Sequence, residues 1–226
     1  MTRDGPIHRD LRQQRTRDLI VEALIELTIQ KGFAAVTVQD IVKRARINRT
    51  TFYRHYRDKF DLLDQYAQAV YQLSDSPPDS GSPAGEDATL EKMIPGMARV
   101  LEHVRLHANF FRVMLGKNGD PAFAAKIRQY IQNRIRRALP EALLSDANSA
   151  DLYLNYVSSG SLGVLTWWLE HETPYSPEHM VAVLYQFISA NLATLNPAPG
   201  GTPTRRERAS NSAPGRHTHT GPLASG

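Results

Sequence analysis

Apolar residues recur at helical spacing in nearly every window of this chain between residues 15 and 195. One such stripe, with Asn191 as its only polar member, consists of Met180, Val183, Leu184, Phe187, Ile188, Leu192 and Leu195. This spacing places the apolar side chains on one face of a helix, whereas a half-buried strand shows alternation with a period of two. The sequence contains no sustained alternation of that kind. It therefore predicts an all-α protein.

Two segments have a composition that does not support a packed core. Residues 75–89 and 196–226 are rich in Pro, Gly, Ser and Thr and lack apolar periodicity. We expect the first to be a mobile loop, the second to be a disordered tail, and residues 1–14 to form a flexible basic arm. Two helical domains are predicted at residues 15–60 and 61–195. Pro95 interrupts an apolar stripe in the second domain, so it should kink that helix or shift its start.

Charge divides the chain in the same way. Residues 1–60 hold 13 Lys and Arg against 7 Asp and Glu, whereas residues 61–195 hold 10 against 15. A compact basic segment is typical of proteins that bind the phosphate backbone of nucleic acids, although a merely solvated basic surface has the same composition. The chain has no Cys, which excludes disulfides, thiol catalysis and Cys-ligated zinc.

No segment predicts export or membrane insertion. Residues 1–17 are charged throughout and lack the apolar run of a secretory signal. Residues 152–169 are uncharged and long enough to raise the question of a bilayer span, but they include Ser158, Ser159 and Thr166. We interpret this segment as a buried helix, and we expect a cytoplasmic protein without a membrane partner.

The basic segment has the pattern of a helix-turn-helix. A first helix is expected from about Arg15 to Lys31, with Gly32 as its C-terminal stop. Thr37 is a suitable N-cap for a short second helix, and three residues separate that helix from a third at 49–56. Asp58 then caps a longer fourth helix. Two short helices joined by a tight turn and packed on a longer one form the helix-turn-helix arrangement.

The third helix carries side chains that suit a DNA groove. The segment NRTTFYRHYRDK, residues 48–59, combines Arg, Thr and Tyr, which can reach base edges or phosphate oxygens from a helix in a major groove. A solvated amphipathic helix is the alternative. Phe52 is better explained as the ring that anchors this helix to the domain core.

The run KGFAAVTVQDIVKRARINRTTFYRHYRDKFDLL, residues 31–63, resembles the helix-turn-helix of the tetracycline-repressor (TetR) family of bacterial transcriptional regulators. Its marks are G-F-x-x-x-T-V-x-D-I, the T-F-Y-R-H-Y recognition helix and D-K-x-x-L at the start of the fourth helix. Weaker matches lie at Leu101–Phe111 and Ser159–Trp168. The family's usual Ala-Gly-Val turn is Ala45-Arg46-Ile47 here, and a β-carbon at a positive φ costs on the order of 1 kcal/mol.

The resemblance implies a set of DNA contacts. Thr37, His55 and Lys59 would contact phosphates, Gln39 would reach a base, and Arg49, Thr50 and Tyr53 would face the groove. Arg46 could add a phosphate contact, and Thr51 a short contact. The arm, with Arg3, Arg9 and Arg12, could enter the minor groove.

Enzyme motifs and metal-ligand sets are missing from the sequence. It contains no H-E-x-x-H, G-x-S-x-G, phosphate loop or dinucleotide fingerprint. His103 and His107 have metal-compatible spacing, but no third ligand follows in fixed relation, so a polar face or core role is the simpler interpretation. The C-terminal end of the helix before Pro140 is interpreted as solvated, and its cations Arg134, Arg136 and Arg137 favour the negative end of the helix dipole. We expect no enzyme activity, no cofactor and no metal.

The last two helices are predicted to form a two-fold interface with a second copy of the chain. Both are rich in apolar residues, and Gly160 and Gly163 allow close backbone approach. The candidate interface residues are Tyr153, Tyr156, Leu184, Phe187, Ile188 and Asn191. A homodimer places two recognition helices about one DNA turn apart, which suits a palindrome.

Some residues of the larger domain could line an effector cavity, although ordinary core is the more common role for any one of them. They are Met97, Leu101, Phe110, Phe111, Met114, Tyr130 and Trp167. The resemblance implies a bacterial homodimeric repressor, bound to a palindromic operator in the nucleoid and released by an unknown small molecule. The alternatives are a coactivator or protein-interaction adaptor of the same fold without a small-molecule effector, and a nonspecific DNA-packaging protein.

Overall fold

The computed structural model of the protein describes residues 6–75, 93–117, 119–139 and 146–195. All regular secondary structure within these residues is helical, which confirms the predicted all-α class. The elements are α1 (Pro6–Lys31), a 3₁₀ turn (Phe33–Ala35), α2 (Val38–Arg44), α3 (Arg49–His55), α4 (Lys59–Gln72), α5 (Ile94–Leu106), α6 (Ala108–Leu115), α7 (Pro121–Ala138), α8 (Ala147–Glu170) and α9 (Pro177–Leu195). The expected tail, residues 76–89 of the expected loop and residues 1–5 of the expected arm lie outside the described residues.

The first helix is longer than the sequence predicted. It begins at Pro6 rather than near Arg15, so most of the expected flexible arm is helical. The physical reason is that proline is favoured in the first turn of a helix, and no further Pro or Gly interrupts the chain before Gly32. Gly32 has a φ of 77°, a positive value that glycine tolerates best, and α1 ends just before it.

Side-chain caps determine where the short helices start. Thr37 and Asp40 form a reciprocal capping box at α2, Asn48 accepts a hydrogen bond from the Thr51 N–H at α3, and Asp58 accepts two at α4. These caps satisfy N–H groups that have no partner inside the helix. Pro95 lies in the first turn of α5, so it shifts the start of that helix and does not kink it.

One large core continues from the helix-turn-helix into the rest of the protein. It includes Ile20 and Leu24 of α1, Phe52 of α3, Leu62 of α4 and Trp168 of α8, all fully buried. A smaller cluster joins α7, α8 and α9. The packing therefore does not break at the boundary expected between residues 60 and 61, because α4 belongs to both parts.

α8 buries one side only, in contrast to the fully buried helix expected at residues 152–169. Tyr153, Leu154 and Trp168 are buried, whereas Leu152 and Tyr156 are exposed. Among the described residues, no helix combines the length and apolar character needed to cross a bilayer.

Candidate DNA-binding surface and body cavity

The recognition helix α3 has one face in the core and one face outside. Phe52 is fully buried, Tyr56 just after the helix is nearly so, and both belong to the large core that also contains residues of α1 and α4. Tyr53 is 50% exposed, and its ring meets the edge of Phe52 at a centroid distance of 5.5 Å. The contact holds an aromatic side chain with a polar tip on the outer face.

Exposed arginine side chains lie at the turn and on α3. The side chains of Arg46, Arg49 and Arg54 are exposed, and within the described residues none of them has an ion-pair partner. By contrast, Arg44 pairs with Glu26 and Arg57 pairs with Asp61. Guanidinium groups without internal partners are available for phosphates or guanine edges. Gln39 and Thr50 are also exposed, which leaves their predicted role in the DNA groove open to test.

Arg46 occupies a strained backbone position in the turn. Its φ is 54°, in the left-handed region that glycine tolerates best. The Ile47 N–H donates to the Val42 carbonyl oxygen at 3.1 Å and closes the turn. Arg46 therefore stands where the resembled motif has glycine, adopts a backbone geometry that is costly for a residue with a β-carbon, and adds a cation.

Two threonines proposed as DNA contacts use their hydroxyl protons inside the protein. Thr37 Oγ1 donates to Asp40 Oδ2 at 2.6 Å, and Thr51 Oγ1 donates to Asn48 Oδ1 at 2.9 Å. Hydrogen bonds from Lys31 and Thr37 hold the pKa of Asp40 well below its usual range. Because a hydroxyl has one proton, neither threonine can donate to a phosphate in this arrangement. Thr37 caps α2, and the Thr51 hydroxyl holds the Asn48 side chain that caps α3.

Lys59 does not project toward a phosphate as the sequence interpretation implied. Its ammonium nitrogen donates to the carbonyl oxygens of Phe33 at 3.0 Å, Ala34 at 3.0 Å and Val36 at 2.8 Å. An ammonium has three donors, so all of them have partners. Desolvation lowers the pKa of Lys59, as expected for a partly buried cation. The residue fastens the start of α4 to the segment after α1.

His55 is also less available than predicted. Its ring is partly buried, and among the described residues its Nε2 atom is buried without a hydrogen-bond partner. Burial lowers the pKa of His55, and the charges of Arg17 and Arg54 lower it further. A neutral, partly buried imidazole cannot supply the cationic phosphate contact that the resemblance implied.

A cavity of about 120 Å³ lies in the helical part that follows the helix-turn-helix, called the body here, and residues of α4, α5, α6, α7, α8 and α9 line it. Four of the seven candidate pocket residues line it: Met97, Leu101, Phe111 and Tyr130. The sequence interpretation missed several lining residues, among them Val70, Tyr71, Ile127 and Arg134. Tyr71 and Ile127 lie within apolar helical stripes, but helical spacing does not distinguish a cavity wall from closed core.

The other three candidate pocket residues lie elsewhere. Phe110 and Met114 are fully buried in closed core, and Trp167 is 43% exposed and stacks on His171 at 4.5 Å. Its neighbour Trp168 is the buried tryptophan, and its indole N–H donates to the Tyr175 carbonyl oxygen. Adjacent helical residues point about 100° apart, so only one of the pair can enter the core.

Arg134 is not part of a solvated helix end, which corrects the sequence interpretation. Its guanidinium donates to Ser74 Oγ at 2.7 Å, Asp75 Oδ1 at 2.9 Å and the Met93 carbonyl oxygen at 3.3 Å. Desolvation lowers its pKa, and the nearby Asp75 carboxylate opposes that effect. The residue connects α7 to the chain on either side of residues 76–92.

The histidine pair of α5 lies against an aromatic cluster. The Tyr66 hydroxyl and His103 Nε2 are 2.9 Å apart and hydrogen-bonded. Burial lowers the pKa of His103 to about 4, with the charge of His107 acting in the same direction. Within the described part of the chain, no three His, Asp or Glu side chains are placed to hold a metal ion.

The candidate dimer residues divide into two groups. Tyr156 is 62% and Phe187 54% exposed on α8 and α9. Tyr153, Leu184 and Ile188 are instead buried within the protomer, and the Tyr153 hydroxyl donates to the Ile188 carbonyl oxygen at 3.0 Å. These three residues belong to the protomer core because α8 and α9 pack on each other. They therefore do not contact a second copy directly and can only hold the exposed interface residues in place. Asn191 is partly buried.

Two family profiles match the two parts of the chain. The profile described as "Bacterial regulatory proteins, tetR family" matches residues 20–66, and a TetR profile described as "Transcriptional regulator C-terminal region" matches residues 91–190. The chain belongs to the TetR family. Both profiles describe regulatory proteins and not enzymes, in agreement with the sequence interpretation.

Curated relatives of this TetR-family protein are distant. It is 22% identical over 171 residues to the uncharacterized HTH-type transcriptional regulator YxbF of Bacillus subtilis (strain 168), a match covering 75% of this chain and 44% of that protein. It is 29% identical over 111 residues to the HTH-type transcriptional regulator TcmR of Streptomyces glaucescens, covering 46% of this chain and 45% of the relative. The matches thus span less than half the length of these relatives.

Solved structures share the fold. The dihydroxyacetone kinase operon activator DhaS superposes with a TM-score of 0.57 at 15% identity, covering 79% of this chain and 97% of DhaS. A TetR transcriptional regulator from Streptococcus agalactiae 2603V superposes with a TM-score of 0.56 at 21% identity, covering 81% and 99%. At these identities the likeness establishes fold alone.

Proposed function

We propose that this TetR-family protein is a dimeric, sequence-specific repressor that a small molecule releases from a palindromic operator. The observation that carries the proposal is the position of α4. Its residues Ala67, Val70 and Tyr71 line the body cavity. Its first residue, Lys59, binds three carbonyl groups at the start of the helix-turn-helix. One helix therefore contacts both the candidate ligand site and the DNA-binding unit.

This arrangement supports coupling between the two sites. A ligand that binds more tightly when α4 is in one of two positions shifts the helix-turn-helix toward the matching position. The size of the shift is set by the difference in the ligand's affinity for the two states. A coupling of about 1–3 kcal/mol changes operator affinity by roughly 5- to 150-fold. The continuous core from Ile20 to Trp168 favours joint movement of its packed helices over independent movement of the helix-turn-helix.

Dimerisation completes the proposal. Exposed Tyr156 and Phe187 lie on α8 and α9, beside exposed Gly160 and Gly163 that permit close helix approach. Two copies joined through this face form a four-helix interface and present two α3 helices to successive turns of DNA. We place the protein in the bacterial cytoplasm, on the nucleoid when it is bound to operator.

The test is selection of genomic fragments by the purified full-length protein at about 150 mM salt, where nonspecific phosphate binding is weak. Recovery of an inverted repeat is the expected result. Tyr53→Ala should weaken binding to that repeat by about 1–3 kcal/mol and leave the dimer intact. Failure to recover a shared sequence would reject specific operator binding and favour the adaptor or packaging alternatives.

The same fold is compatible with repression or with activation of transcription. DhaS, which superposes on this chain, is named as an operon activator. Repression is distinguished from activation by a reporter placed behind the recovered repeat. Deletion of the gene for this protein should raise reporter expression if the protein is a repressor and lower it if the protein is an activator.

A further inference from the structure

The wall of the body cavity presents almost no polar atom to a ligand. Among the described residues, the surface that faces the cavity is made almost entirely of apolar atoms, although Ser74, Ser161 and Arg134 belong to the lining. These three residues therefore contribute mainly their carbon atoms to the wall. A ligand in the cavity would find packing contacts there and hardly any hydrogen-bonding group.

The polar groups nearest the cavity are occupied or closed off. The terminal nitrogens of Arg134 donate to Ser74 Oγ, to Asp75 Oδ1 and to the Met93 carbonyl oxygen. Asp75, which does not line the cavity, balances the Arg134 charge at 2.9 Å. The Tyr71 hydroxyl and Arg134 Nε lack a hydrogen-bond partner among the described residues, but they have essentially no accessible surface. A ligand in the cavity therefore does not reach them.

The wall combines aromatic rings with flexible thioether side chains. The rings of Tyr71 and Tyr130 stack at a centroid distance of 4.7 Å and an interplanar angle of 16°, and both residues line the cavity. Met93 and Met97 line it as well. Methionine is unbranched and polarizable, so it adapts to the shape of an apolar neighbour and makes favourable contacts with aromatic rings. Such a wall suits an apolar guest that is held by packing.

The size of the cavity indicates a small guest. Its volume is about 120 Å³, whereas protein interiors are close-packed and contain few voids larger than a water molecule. An apolar cavity of about 150 Å³ in another protein stays free of water and binds benzene. The space here therefore suits a molecule of about one aromatic ring. A long acyl chain or a fused multi-ring compound would require the surrounding helices to move apart.

We propose that the cavity binds a neutral, apolar molecule of about the size of one aromatic ring, held by packing contacts without a polar anchor. This inference rests on the proposed function, since it names the chemical class of the effector. A carboxylate, an amine or an amide in the same space would lose its hydrogen bonds to water and gain none from the wall, which costs free energy. The cavity thus selects against charged and hydrogen-bonding ligands.

The test compares two probes of the same shape with the full-length protein, benzene and pyridine, by isothermal titration calorimetry at neutral pH. Pyridine replaces one C–H of benzene by a nitrogen that accepts a hydrogen bond from water. Benzene should bind at least about tenfold more tightly, because the buried nitrogen loses that hydrogen bond without replacement. Equal or tighter binding of pyridine, or no benzene binding at millimolar concentration, would overturn the proposal.

A variant that fills the cavity locates the bound probe. Ala67 of α4 is buried and lines the cavity, so Ala67→Leu adds apolar volume at the wall and should abolish benzene binding. Ala125→Leu is the matched control, because Ala125 is exposed on α7 and does not line the cavity, and it should bind benzene as the unchanged protein does. A folded Ala67→Leu variant that binds benzene as tightly as this control would overturn the assigned site.

A milder variant serves if Ala67→Leu does not fold, as judged by circular dichroism. Val70 is also buried at the cavity wall, and Val70→Ile adds a single methylene group. It should weaken benzene binding by about fivefold or more, because the guest and the added group compete for the same space. Unchanged benzene affinity in this variant would likewise overturn the assigned site.

Operator binding measured with and without benzene distinguishes this inference from the proposed function. If benzene binds as expected but operator affinity does not change, the assigned ligand chemistry stands and release by that ligand fails. If benzene does not bind and a charged or hydrogen-bonding small molecule weakens operator binding, the assigned chemistry fails and the repressor proposal stands.

Discussion

Replacing Lys59 by methionine separates a structural role for this residue from a role in phosphate binding. The ammonium group donates to three backbone carbonyl oxygens, those of Phe33, Ala34 and Val36, at 2.8–3.0 Å. Methionine keeps the length and apolar stem of the side chain but removes all three donors. The carbonyl groups then depend on water or on local rearrangement for hydrogen bonds.

The expected loss follows from these contacts. A hydrogen bond to a charged group contributes about 1.5–3 kcal/mol when buried, and less where water competes. Lys59 is only partly buried, so we take about 1 kcal/mol for each of the three bonds. Lys59→Met should therefore lower the free energy of unfolding by about 2–4 kcal/mol. The loss should appear as a lower midpoint of urea unfolding with an unchanged slope.

Lys43→Met is the matched control, because Lys43 is an exposed lysine of α2. It should change the free energy of unfolding by no more than about 0.5 kcal/mol. The structural role would be refuted if Lys59→Met were as stable as this control while the slope of log affinity against log salt for DNA fell by about one. That pattern would mean that Lys59 contacts a phosphate.

Three further predictions follow from the backbone, a buried histidine and the exposed face of the body. Arg46→Gly relieves the φ of 54° and should raise the free energy of unfolding by about 1 kcal/mol, while the salt slope for DNA falls by about one if Arg46 contacts a phosphate. Because burial lowers the pKa of His103 from 6.5 to about 4, the unfolded chain binds more protons between these pH values. The free energy of unfolding should therefore be highest above pH 6.5 and should fall by about 1–2 kcal/mol toward pH 4, a range that allows for solvent screening. The variant His103→Gln should lose this part of the pH dependence. An unchanged pH profile of urea unfolding in that variant would contradict the assignment to His103. Phe187→Arg should convert the proposed dimer to monomer in sedimentation experiments without loss of helicity, and a variant that remained dimeric would place the interface elsewhere.

The helix-turn-helix could be predicted because the interactions that start and end its helices are local. Thr37, Asn48 and Asp58 each accept hydrogen bonds from N–H groups two or three residues further along, and Gly32 ends α1 through its own backbone geometry. Such interactions are encoded in neighbouring residues, so a motif of about 30 residues identifies them. The start of α1 was predicted too late, because charge alone does not interrupt a helix.

The body was harder to interpret from apolar spacing. Met97, Leu101, Phe111 and Tyr130 line the cavity, whereas Phe110, Met114 and Trp167 do not, and the sequence did not distinguish the two groups. A residue in a helical stripe faces the interior whether it lines a cavity or closed core. The missing information is how far apart neighbouring helices pack at that point.

Partners distant in sequence determine the remaining side-chain roles. Lys59 binds the Phe33 carbonyl across 26 residues, and Arg134 binds Ser74 across 60. Whether Lys59 reaches a phosphate or a carbonyl depends on where α4 begins relative to the end of α1. The sequence alone established the all-α class, the helix caps and the family motif. This was possible because hydrogen bonds within one helical turn do not depend on a second helix. Tertiary packing decided which donors have internal partners, because helix rotation and separation determine which groups meet.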